Sequence, residues 1–96
     1  MCQFQLTGAD LHFHLIRRML QRGVTRQEIE LTLCQGWAAY DAKPGTMGKT
    51  FVFPYQAEWE GQFFEEKEVT VYYKLIDEAT MLLTVKARYG EGFPRE

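Results

Sequence analysis

From Leu11 to Leu20 the apolar residues Leu11, Leu15, Ile16 and Met19 recur at three- and four-residue steps, which lays a stripe along one side of a helix. His14, Arg17, Arg18 and Gln21 fall on the opposite side. His12 projects near the middle of the apolar side and is expected to be a packing residue of the core. Gly23 ends this helix, and "VTRQEI" (Val24 to Ile29) opens the next. Thr25 can accept from the amide three residues on, Glu28 can reach back to the Thr25 amide, and Val24 can meet Ile29 as a hydrophobic staple. Ile29, Leu33 and Trp37 continue an apolar stripe that Gly36 interrupts, so the pattern predicts a tight helix pair joined by a short turn.

Beyond Trp37 the period changes. Residues Trp37 to Asp41 suit a short first strand, and "AKPGTMG" (Ala42 to Gly48) supplies turn chemistry that a helix cannot absorb. "KTFVFPY" (Lys49 to Tyr55) reads as a strand whose Pro54 belongs at an edge or a bulge. "EVTVYYKLI" and "MLLTVKARY" are rich in β-branched and aromatic residues and are separated by the short polar "DEAT", which predicts an antiparallel hairpin. Alternation puts Val69, Val71, Tyr73 and Leu75 on the helix side of one strand, and Leu83, Val85, Ala87 and Tyr89 on the helix side of the next. The open side then carries Thr70, Tyr72 and Lys74 beside Thr84, Lys86 and Arg88. "GEGFPRE" (Gly90 to Glu96) reads as a loose tail.

Ninety-six residues, 46% hydrophobic and 15% aromatic, suffice for one domain with one core: the helix pair over about residues 10–36, the sheet over about 37–89 and the tail over 90–96. The expected class is α+β, two N-terminal helices on one face of a three- to four-stranded antiparallel sheet. A net charge of -2 gives no global drive toward nucleic acid, so any phosphate site must be local. The charge is segregated: "EWEGQFFEEKE" (Glu58 to Glu68) sets five acids against Lys67 and reads as a solvated loop, leaving the rest slightly basic. Cys2 and Cys34 are too few for a disulfide framework and are expected as free thiols in a reducing cytosol, and no Cys/His cluster suggests zinc. The start of the chain lacks a basic region followed by an apolar run, and no run approaches the roughly 18 apolar residues of a membrane span.

His14, three residues, Arg18-Met19, two residues, then Arg22-Gly23-Val24-Thr25 and a terminal "LLTVKARYG" (Leu82 to Gly90) form a recognisable arrangement. It resembles a bacterial family of small domains of unknown function. That family carries a His-x-x-x-Arg-Met-x-x-Arg-Gly-Ile/Val-Ser/Thr helix pair followed by strands. The family is grouped with the barnase, EndoU, colicin D and E5, and RelE fold, whose members are mostly metal-independent ribonucleases and often toxins. The resemblance spans roughly Asp10 to Tyr89 and implies an RNA substrate, an antitoxin protein as partner, and no metal or cofactor. It assigns His14 and Arg18 on helix one, Arg22 before the glycine, and Thr84 on the terminal strand. Lys74, Lys86 and Arg88 are added from strand alternation rather than from the resemblance. Two features depart from the toxins of this fold: the chain is slightly acidic where they are basic, and the acidic stretch could repel RNA.

Metal-free RNA cleavage needs a base for the 2′-OH, an acid for the leaving 5′ oxygen and cations for the phosphorane. The sequence offers His14 as the base, kept neutral by Arg18 one turn on, with Thr84 and Arg88 completing the catalytic set. Arg22, Lys74 and Lys86 would hold RNA, and Tyr72 would stack a base. A helix packed on one sheet face cannot easily send His14 to the other, so this set needs a cleft or an edge. The same residues also suit a noncatalytic module binding protein or nucleic acid through the open sheet face, or a homodimeric assembly protein. "GTMGKT" (Gly45 to Thr50) lacks P-loop spacing and reads as a turn.

Overall fold

A computed structural model describes residues 6–96. Helices α1 (Phe13–Arg22) and α2 (Arg26–Gln35) are followed by strands β1 (Trp37–Ala38), β2 (Met47–Trp59), β3 (Gln62–Ile76) and β4 (Ala79–Gly90). The strands form one antiparallel sheet in the order β1-β2-β3-β4, giving the expected α+β class with its four strands in sequence order.

Local chemistry sets the helix ends. Gly23 closes α1 at φ 70°, a left-handed conformation that a side chain would strain, and its amide returns to the Met19 carbonyl. A Cβ there would also run into the ring of Trp59 and the hydroxyl of Tyr89. The capping box at Thr25 and Glu28 is complete, and Val24 and Ile29 are both buried beside it. The helices do not form a tight pair. Each docks on its own strands, α1 on β4 and α2 on β2 and β3, because the sheet offers a broader apolar face than either helix offers the other. Leu15, Val24 and Ile29 meet Val69, Val71, Tyr73, Leu82 and Val85 there, with Leu11, Met19 and Leu33 at the margin.

Several expectations are corrected. Glu58 to Glu68 is not a loop: Glu60 and Gly61 make the turn of a hairpin, and β3 starts at Gln62. Within it Lys67 is 2% exposed, on the helix side of β3 in phase with Val69 and Val71. Its ammonium is held by the Gly23 carbonyl and by Glu28 Oε1 at 2.7 Å, and it lies 5.5 Å from the ring centres of both Tyr55 and Tyr89. Charged residues thus occupy successive strand positions on both faces, where the partners decide burial.

On β4 the expected phase breaks. Tyr72 pairs with Thr84 but Tyr73 with Leu82, so Leu83 is the extra residue of a bulge, and Leu82 enters the core in its place. Leu75 is exposed near the β3–β4 turn, and Ile16 is 41% exposed rather than packed. Pro54 precedes a second bulge, in β2, as its missing amide favours. His12 is not a core residue. It is the exposed N-cap of α1: Nδ1 accepts from the Leu15 amide and Nε2 donates to the Leu82 carbonyl at 2.9 Å. The ring lies at the end of the helix rather than along its stripe, which is why helical spacing misplaced it.

Cys34 is not a free thiol in the structure; a thiol's state follows from what the fold brings to it, not from spacing along the chain. Cys2 lies outside the described residues. The stretch after β4 has no regular structure but is tied back: the Phe93 amide donates to Glu66 Oε1, and Arg95 reaches Glu66 Oε2 at 2.5 Å and the Val52 carbonyl. No described helix is long and apolar enough to cross a membrane.

Candidate functional site

The residues expected to form one site lie on two sides of the molecule. His14 and Arg18 are on the outer side of α1, where with Phe13, Arg17 and Gln21 they line an open hollow of about 350 Å³. The helix places them there because Leu15 and Met19, in the same turns, are committed to the core. The His14 ring stacks near that of His12, with centroids 6.3 Å apart and planes 12° apart. Both nitrogens of His12 are engaged by backbone, so His14 alone presents an imidazole to the hollow. Arg17 lies over the Phe13 ring at 5.6 Å. Among the described residues, neither Arg17 nor Arg18 is ion-paired with a carboxylate.

Arg22 is in the last turn of α1, where a cation complements the carbonyl end of the helix dipole, and its own carbonyl accepts from the Tyr89 hydroxyl at 2.6 Å. Its side chain is exposed but does not line the hollow.

Tyr72, Thr84, Lys86 and Arg88 are gathered on the opposite, open side of the sheet. Strand alternation placed them correctly, since the bulge falls beyond the Tyr72–Thr84 pair. Two hollows share this side. One, of about 260 Å³, crosses all four strands and is lined by Thr50, Glu68, Thr70, Lys86 and Arg88 among others. The other, of about 420 Å³ and more apolar, is bounded by Tyr72, Leu83 and Thr84. Asp41 belongs to both. Lys74 is exposed near the β3–β4 turn and lines neither.

Lys86 and Arg88 are already engaged. Lys86 Nζ is 2.5 Å from Asp41 Oδ2, and Tyr72 donates its hydroxyl to the same carboxylate at 2.9 Å. The Lys86 hydrogen bond, reinforced by Tyr72, outweighs desolvation and lowers the Asp41 pKa. Burial opposes the charge of Lys86, but its bonds to Asp41 and Tyr72 prevail and its pKa is raised. Burial also raises the pKa of Tyr72, so its phenol remains a donor at neutral pH. Arg88 Nε is 2.7 Å from Oε1 of the buried Glu68, a bond that raises the arginine's pKa further. Thr50 and Thr70 share a buried hydroxyl bond of 3.0 Å on the same floor.

Sequence reasoning missed Asp41 and Glu68, the acids that neutralise this surface. For Glu68 the signal was available, since it is two residues before Thr70 and directly across from Arg88. Asp41 comes from the turn after β1, and no local pattern points it toward β3 and β4. Among the described residues no three His, Cys, Asp or Glu side chains are grouped to hold a metal ion.

No protein-family model, curated protein or solved structure matches the chain.

Proposed function

We propose that the protein acts on RNA as a metal-independent endoribonuclease of the toxin type, with the outer side of α1 as its reactive surface. One observation carries this reading: α1 sets a solvent-facing imidazole, His14, beside arginines 17 and 18, which are not spent on carboxylates among the described residues. Lys86 and Arg88 on the open sheet face are spent in that way. At the hollow on α1 a phosphate meets cationic charge that no described carboxylate compensates.

In this reading His14 removes the proton of a ribose 2′-OH, and that oxygen attacks the adjacent phosphorus. Arg17 and Arg18 bear the charge of the five-coordinate phosphorane, and the 5′ oxygen leaves and takes a proton from a water whose hydroxide takes back the proton held by His14. The products are a 2′,3′-cyclic phosphate and a 5′-hydroxyl end. Thr84 and Arg88, expected beside His14, are across the sheet and take no part in the step. In this reading a toxin acts on RNA in the cytoplasm and calls for an antitoxin partner to restrain it.

The test is incubation of the purified chain with single-stranded oligoribonucleotides in the presence of a metal chelator. Cleavage to cyclic-phosphate ends is expected, with no cut where a 2′-deoxy residue replaces the attacking ribose. His14→Ala abolishes cleavage and leaves the thermal melt unchanged, as befits an exposed side chain. A folded parent that cuts none of a panel of RNAs at dilutions where it is monomeric overturns the reading.

A noncatalytic binding module is the second reading, favoured by the clustering of Tyr72, Thr84, Lys86 and Arg88 around the open-face hollows. Binding without cleavage, weakened by Tyr72→Ala and not by His14→Ala, would establish it instead.

A further inference from the structure

Two exposed surfaces of opposite character are left over. On α1, Phe13 and Leu20 are 74% and 75% exposed and Ile16 is 41% exposed. At 100° per residue these three positions fall within one sector of the helix, beside the sector that faces the core, and Arg17 borders them. Isolated apolar residues on a surface are ordinary, but a contiguous strip with a cationic border is the mark of an interaction site.

The other surface is the end of the β2–β3 hairpin. Pairing between β3 and β4 starts at Glu66, whereas β2 and β3 remain paired from Ala57 with Phe64 out to Trp59 with Gln62. Residues 57–64 therefore run past β4 as a two-stranded ribbon, an element that is marginal unless something covers it. Trp59 and Phe64 are covered by Tyr89, with ring centres at 5.0 and 5.7 Å. Phe63 is not covered, at 58% exposure, and it is set among the exposed acids Glu58, Glu60 and Glu65. None of these three is ion-paired among the described residues.

We propose that the ribbon of one copy docks on the α1 strip of a second copy, Phe63 entering the Phe13–Ile16–Leu20 strip and the ribbon acids meeting Arg17 and its neighbours. Charge complementarity selects this occupant: the strip needs an apolar residue in an acidic setting, and the chain itself presents one on a projecting arm. Reciprocal docking about a two-fold axis closes the contact as a dimer and leaves no free strip or arm. Where α1 is also the RNA surface, which rests on the functional reading above, the docked ribbon covers Arg17 and excludes RNA from the assembled form.

Light scattering and sedimentation over a concentration series test the contact. The parent self-associates, and added salt weakens the association, because exposed charges are screened. Phe63→Ser raises the dissociation constant by roughly tenfold to a hundredfold, the factor for one large apolar side chain removed from an interface. Arg17→Glu dissociates the assembly, and Glu60→Lys added to it restores association. Thermal melts of the variants confirm that each is folded. A parent that stays monomeric throughout, or a charge swap that fails to restore association, overturns the proposal. Cleavage is read separately on monomeric Phe63→Ser, which lies outside the RNA surface: inactivity there removes the nuclease and leaves the dimer standing.

Discussion

Lys67 Nζ lies 2.7 Å from Glu28 Oε1, so the third strand is bonded directly to the capping box of the second helix. The same ammonium holds the carbonyl of Gly23, where the first helix ends. One side chain thus fixes both helices to the sheet. Lys67→Ala strands Glu28 and the Gly23 carbonyl and is expected to cost about 3–5 kcal/mol, the loss for breaking a buried pair from one side. Lys67→Met keeps the packed stem between Tyr55 and Tyr89 and costs less. Urea titration of both variants checks this; equal losses would mean that only the stem's volume matters.

His12 joins α1 to β4 at its other end. His12→Ala removes the cap, at about 1 kcal/mol, and takes the partner from the Leu82 carbonyl. His12→Asn keeps a capping oxygen and recovers part of the loss, whereas His12→Leu keeps bulk without either bond and recovers none. If His12→Leu were the stable variant, apolar packing rather than capping would hold the residue.

The bulge on β4 predicts unequal roles for adjacent leucines. Leu82 is 2% exposed in the core, and Leu82→Ala should cost about 2–5 kcal/mol by transfer and cavity terms together. Leu83 borders an open hollow, and Leu83→Ala should fall within about 1 kcal/mol of the parent. Denaturant midpoints of the pair decide whether the phase changes where the register says it does.

These residues also show how much of the fold was legible beforehand. Thr25 to Ile29 announced the second helix because a capping box is read from two side chains three residues apart, Thr25 and Glu28. Val69, Val71 and Tyr73 announced the buried face because alternation needs only one strand. Extending that alternation back by one step would have placed Lys67 on the same face, but a run of acids outweighed it. The Leu83 bulge is a property of two strands together, and "MLLT" alone cannot say which leucine turns inward. Of the candidate site, the outward side of α1 and the open-face set were each legible. Their separation was foreseen as a steric difficulty, and the neutralisation of Lys86 and Arg88 was hidden because it depends on Asp41, 45 residues from Lys86, and on Glu68 across the sheet.

Acid stability should depend on Asp41 and Glu66. The Lys86 hydrogen bond and then Tyr72 lower the first, and the Phe93 amide and then Arg95 lower the second, from reference values of 3.8 and 4.5. Both carboxylates therefore ionise more readily in the folded chain than in the unfolded one. As pH falls through those reference values the unfolded chain takes up protons first, and stability declines until the lower folded pKa values are passed. Asp41→Asn should flatten that acid limb while lowering stability at neutral pH. Thermal melts from neutral pH downward check the sign; an Asp41→Asn variant with the parent's acid slope would show that the Lys86–Asp41 bond is not formed in solution.

The division between a free and a neutralised cationic surface makes the sharpest prediction about RNA. Each phosphate contact on single-stranded nucleic acid adds about 0.7 to the slope of log K against log salt. Arg17→Gln with Arg18→Gln should therefore reduce the slope by roughly 1.4 if both arginines reach phosphates. Lys86→Gln with Arg88→Gln removes two formal charges as well, yet those cations already face Asp41 and Glu68, so their loss releases no counterions bound by RNA. Fluorescence anisotropy with a labelled, 2′-deoxy-blocked strand measures the slope without cleavage. A slope that falls for the sheet pair and not for the helix pair would move the RNA surface to the open sheet, and His14 would lose its substrate.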